Sequence, residues 1–137
     1  MLEHITWRME DEGLLDDGWR WERFEVHHED AVEPHGYRFE HEDGASFVHS
    51  GDSGPCDALY DAIERSQLAV LEMGFPDWVP STHHHKPKDI TALAERCSTP
   101  LGITHTYIDD ESPYPKVLED AEPTFPSHVV QLHDGDL

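Results

Sequence analysis

Lysine is almost missing from this sequence, with three in 137 residues, Lys86, Lys88 and Lys116. Basic residues of both kinds number 9 against 30 acidic ones. A body so poor in cations excludes the broad basic surface that nucleic-acid backbones require, and nucleic acid is not expected as a partner. Cysteine is also scarce: Cys56 and Cys97 are too few for a disulfide framework and too far apart for a CxxC metal knuckle. Both read as packed thiols. No apolar run approaches the length of a membrane span, and the opening MLEHITWRMEDEG has no apolar core of a secretory signal. The expected location is therefore the cytoplasm, or a virion if the protein is viral. Internal repeats are absent, as is any HExxH-type frame.

What is abundant is acid, giving a net charge of −21 spread over nearly every segment. Such a charge repels itself in dilute buffer, whereas at about 1 M salt the screening length falls to about 3 Å. We expect a protein of a high-salt organism or of one of its viruses. Four tryptophans and clear apolar periodicity argue against disorder.

The strongest periodic stretch is Pro55 to Met73, read as one long helix. Leu59, Ala62, Ile63, Ser66, Ala69, Val70 and Met73 fall on a single face, Pro55 suits a first turn, and Gly74 with Pro76 ends the element. Leu68 and Leu71 fall off that face, which suggests a second covering surface. Before it, short strands are expected within His4 to Met9, Trp19 to His28, Tyr37 to His41 and Ala45 to His49, with a bulge near Glu22 or Arg23 and a hairpin at Asp43-Gly44. After it come a shorter helix over Pro87 to Cys97, a strand over Leu101 to Ile108, and an acidic, proline-rich stretch ending in a strand at His128 to Leu132. The expected fold class is α+β, a small antiparallel sheet of about five to six short strands packed against one long and one short helix. A single domain would occupy 1–108 and an extended arm 109–137.

Candidate sites are few. Gly51 to Pro55, GDSGP, resembles part of the active-site signature of trypsin-like serine proteases, one glycine short; a helix start follows at once, so turn and cap chemistry accounts for the same letters. His83 and His85 would point the same way in an extended segment, and with His105, or Asp109 or Asp110, they form the candidate metal set, with zinc as the metal. Apart from that set no cofactor is expected. His84, His85, Lys86 and Lys88 form the one locally basic patch, at the entry of the second helix, a candidate for anions. The run WRWERF interleaves arginine with aromatics, as half-buried strands do.

The function expected first is a non-enzymatic subunit of a larger assembly, such as a virion head-to-tail connector or tail component. Protein subunits in a homo- or hetero-oligomer would be the partners, touching Leu68, Leu71, Tyr114 and Phe125. The alternatives are a metal-dependent enzyme built on the His83 to His85 loop, and a small regulatory binding module.

Overall fold

The computed structural model describes residues 8–108, 123–133 and 135. Their centre is a seven-stranded mixed sheet whose spatial order follows the chain: β1 (Glu12–Leu14), β2 (Trp19–Glu25), β3 (His35–His41), β4 (Ser46–His49), β5 (Leu68–Met73), β6 (Leu101–Thr106) and β7 (Val129–Gln131). The first four run antiparallel and the last three join in parallel. The Asp43-Gly44 hairpin forms as its letters require, with Gly44 at a φ of 97°. Helix α1 (Asp57–Glu64) bridges β4 to β5, and α2 (Pro87–Arg96) bridges β5 to β6.

This corrects the expected fold class. The long helix is two elements: α1 ends at Glu64, and the second half of the stretch is the central strand. Arg38 caps that end, its guanidinium donating to the Arg65 carbonyl at 3.1 Å and to Ser66 Oγ at 3.0 Å. The segment LAVLEM satisfies helix and strand periods alike, and a parallel strand covered on both faces is apolar without alternation. The off-stripe leucines were the sign. Leu71 is fully buried in β5 while Leu68 is exposed, so the two do not share a contact surface.

The core lies between one face of the sheet and both helices. Leu59, Ala62 and Ile63 of α1, with Ile90, Leu93 and Ala94 of α2, meet Val48, Ala69, Leu71, Met73, Leu101, Ile103 and Val129. Arg96 ties the helices together, Nε to Glu64 Oε1 at 2.6 Å. Phe125 packs against this core, and β7 adds a paired strand, so this part of the expected arm belongs to the domain. Tyr114 and most of the expected arm and of the expected first strand lie outside the described residues.

The opposite face of the sheet is aromatic. Cross-strand register places Trp21, Phe39, Phe47 and Leu68 in one row on it, and Arg23, Tyr37, His49, Val70, Gly102 and Val130 in the next. Phe39 stacks on Phe47 at 4.7 Å, and Trp19 meets Phe47 edge-on at 5.8 Å. The bulge expected in β2 is absent: pairing runs evenly from Trp19 with His41 to Glu25 with His35. The tryptophans take one face while Phe24 and Val26 take the core, and a sheet with two apolar faces needs no change of parity. Among the described residues no helix is long and apolar enough to cross a membrane.

Candidate functional site

Two loops and the last residues of β6 meet at the C-terminal ends of β4, β5 and β6, where ligands gather in sheets with parallel strands. The first, after β4, holds Gly51, Asp52, Ser53 and Gly54. Gly51 takes a φ of 60°, and a Cβ on it would lie 2.8 Å from the His35 carbonyl oxygen. At Gly54 the approach is closer: its Cβ would lie 1.7 Å from the Thr82 carbonyl oxygen, so only glycine lets this loop cross the second one, the histidine-rich segment before α2. The third part is the end of β6 itself, where His105 takes a φ of 47°, a left-handed conformation uncommon for a non-glycine residue and worth a functional explanation.

One carboxylate fixes both loops. Glu72, buried at the end of β5, accepts backbone N–H groups from Ser53 at 3.2 Å, Gly74 at 2.6 Å and His85 at 3.0 Å. Its Oε2 also lies 3.1 Å from His84 Nδ1, an ion-pair contact rather than an aligned hydrogen bond. Burial pushes the Glu72 pKa up, but the histidines and amides around it outweigh that and hold it at about 2. His84 is shifted upward in turn, chiefly by Glu72 and against its own partial burial, with Asp52 and Glu29 adding to the effect.

Around this centre is a patch of imidazoles. His84 packs against Phe75 at 4.5 Å, His28 at 4.9 Å and His105 at 6.4 Å between ring centroids. His83 meets His27 at 5.6 Å and His28 at 5.9 Å. At its outer edge Asp52 Oδ1 and His105 Nε2 lie 3.8 Å apart, both well exposed.

The histidines of the expected metal set take different surroundings. His85 is fully buried, with Nδ1 donating to the Ser53 carbonyl at 2.6 Å and Nε2 lying 3.2 Å from the Tyr60 hydroxyl, so both ring nitrogens are engaged. His83 faces the outer histidines. His105 meets an exposed carboxylate, Asp52, while Asp109 and Asp110 lie outside the described residues. Imidazole nitrogen and carboxylate oxygen suit zinc or manganese in kind, but among the described residues no group of three or more such donors converges. The two fit a metal as part of a site.

The anion candidates separate as well. Lys86 is buried and its ammonium donates to the Val79 carbonyl, while its backbone N–H donates to Asp89 at 3.0 Å. Lys86 and Lys88 line a cleft of about 550 Å3 between the two helix starts, with His27, Cys56 and Thr82, but Asp57 and Asp89 line it too. Asp52, Glu72, His27 and His28 are the site residues that sequence reasoning missed. Glu72 alone left a signal, as the one acid inside an apolar strand.

No family model matches the chain. It is 30% identical over 95 residues to ribonuclease Z of Methanosarcina acetivorans, an alignment covering 64% of this chain and 30% of that protein. Among solved structures it resembles the isothiocyanate hydrolase from Delia radicum gut bacteria, with a TM-score of 0.71 and 16% identity over 94% of this chain and 57% of the other. The metallo-β-lactamase fold protein YhfI from Bacillus subtilis gives 0.61 and 17% over 74% and 42%. A diphosphatase from the PhnP family gives 0.61 and 21% over 93% and 46%. The fold is thus that of metallo-β-lactamase fold proteins, and the chain spans about 30% of the curated relatives it matches. Three of these four likenesses are to proteins named as enzymes. They overturn the expectation of a non-enzymatic assembly subunit or virion component and favour the metal-dependent alternative.

Proposed function

We propose that this chain carries part of the active site of a metal-dependent hydrolase acting on phosphoester bonds. The observation that carries the reading is the pairing of Asp52 with His105 beside a histidine in contact with a buried carboxylate, all at the C-terminal ends of β4, β5 and β6. The names of the relatives, a ribonuclease and a diphosphatase among them, support a phosphate ester as the substrate class.

Asp52 Oδ1 and His105 Nε2 would hold the metal from this chain's side. When bound, a divalent ion supplies Lewis acidity to a phosphoryl oxygen. Glu72 raises the His84 pKa and fixes its ring. With Nδ1 turned to Glu72, Nε2 is the nitrogen left to hand a proton to a departing oxygen or to pair with a phosphate. In its protonated form His84 would also offset the repulsion that Asp52 and the acidic body impose on an anionic substrate.

The test is metal content and hydrolysis of bis(p-nitrophenyl) phosphate in molar salt, for the unmodified chain and for Asp52→Asn and His105→Ala. Zinc or manganese retained by the parent and lost from both variants, together with any hydrolysis, supports the reading. Equal metal in parent and variants would refute it.

A further inference from the structure

We propose that His85, backed by Tyr60, is the positioning residue for Asp52: its imidazole clamps the Ser53 carbonyl and so fixes the direction in which the Asp52 carboxylate leaves its loop. That Asp52 holds a metal rests on the reading above; the clamp stands on contacts within this chain alone.

His85 and Ser53 are both fully buried. A buried imidazole with an unpaired nitrogen costs stability, and so does a buried carbonyl without a donor. Here the two needs meet, with Nδ1 2.6 Å from the Ser53 carbonyl oxygen and Nε2 3.2 Å from the Tyr60 hydroxyl. A carbonyl only accepts, so Nδ1 carries the proton, and in the neutral ring Nε2 is left to accept the Tyr60 O–H. Burial pushes the Tyr60 pKa up, which keeps that hydroxyl a donor. Tyr60 is seated on α1, with the Arg96 guanidinium 5.5 Å from its ring centroid. A leucine in place of His85 would fill much the same space and satisfy none of these atoms.

What the clamp holds is the backbone around Asp52. The peptide before Asp52 is tied by Ser50 Oγ, which donates to the Gly51 carbonyl at 2.6 Å. The peptide after it is tied by the Ser53 N–H, which donates to Glu72 Oε1 at 3.2 Å, and the next one by His85 on the Ser53 carbonyl. Glu72 also accepts the His85 backbone N–H at 3.0 Å, so β5 and α1 grip Ser53 together, one through a carboxylate and the other through an imidazole. The Asp52 side chain is half exposed, with Oδ1 3.8 Å from His105 Nε2, so its aim comes from these buried neighbours and not from packing of its own. A metal ligand works only when held near its productive geometry, and a partner that holds it there is worth about 10- to 100-fold in metal affinity. The histidine run thus divides its work: His84 faces the site, while His85 turns inward and orients the Asp52 loop.

The experiment compares the unmodified chain with His85→Leu, His85→Asn and Tyr60→Phe in about 1 M potassium chloride, where surface charge is screened. Thermal unfolding establishes that each is folded. The readouts are the protonated nitrogen of His85 by nitrogen-15 NMR, hydrogen exchange at the Ser53 amide without metal, and calorimetric zinc affinity of the site that Asp52→Asn removes. The parent should carry its proton on Nδ1. His85→Leu should bind zinc about 10- to 100-fold more weakly and exchange the Ser53 amide faster. The asparagine side-chain N–H reaches near the place of Nδ1–H, so His85→Asn should restore both. Tyr60→Phe should show the same losses in smaller measure, and it carries the comparison should His85→Leu not fold. A proton on Nε2, a folded His85→Leu equal to the parent in exchange and affinity, or an asparagine variant no better than the leucine one overturns the clamp. A parent that holds no zinc at Asp52, but whose Ser53 exchange follows this order across the variants, upholds the clamp and overturns the metal reading.

Discussion

Glu72 Oε2 lies 3.1 Å from His84 Nδ1, and through that contact the central strand raises the pKa of a histidine in the loop above it. The same carboxylate holds the backbone of Ser53 and His85, so one side chain sets the spacing between the Asp52 loop and the histidine loop.

The acid limb of stability should therefore belong largely to Glu72. Its folded pKa of about 2 lies below its ordinary 4.5, so the stabilisation is complete above about pH 4.5 and fades as pH falls toward 2. The difference corresponds to roughly 3 kcal/mol. Denaturant unfolding across pH 2 to 7 in molar salt checks this: Glu72→Gln should start lower by about that amount and flatten the slope in this window.

His84→Gln should leave metal content unchanged and reduce turnover by about 10²- to 10⁴-fold if His84 transfers the proton. Steady-state kinetics beside metal analysis separates that loss from loss of the ion.

Two glycines should answer unequally to alanine. At Gly54 the new Cβ meets a backbone oxygen, and Gly54→Ala should cost about 3 kcal/mol or more by thermal unfolding. Gly44→Ala meets nothing within 4 Å and should cost only about 1 to 2 kcal/mol, from its positive φ.

Leu71→Ala empties a fully buried position of the central strand and should cost about 2 to 5 kcal/mol. Leu68→Ala, on the exposed face, should change monomer stability by less than about 0.5 kcal/mol. Had the stretch been one helix with a second apolar face, both would weaken association instead.

With a net charge of −21, the unfolding midpoint should rise steadily between about 0.1 and 1 M salt as the screening length shrinks from about 10 Å to about 3 Å. A midpoint indifferent to salt would show that the acids are already compensated within the fold.

Local chemistry was legible in the sequence. The Asp43-Gly44 hairpin, the start of α1 after Pro55, and the strands at Leu101 and Val129 follow from turn residues and short-range periods. What was not legible is pairing at a distance. LAVLEM fits both a helix and a buried strand, and only its parallel partners β4 and β6 decide between them. Asp52 was hidden among turn letters that glycine, serine and proline account for equally well. His27 and His28 come to the site from the loop after β2, and nothing in the sequence brings them to His83 and His84.

The strand order has a kinetic consequence. Each strand pairs with the one before it in the chain, so the sheet can grow by addition at a single advancing edge as residues leave the ribosome. The hairpin strands would be in place first, and the parallel strands would wait for their connecting helices to close the longer loops. The Asp52 loop would emerge and settle before its partner His105 is translated, leaving the donor pair among the last contacts to form.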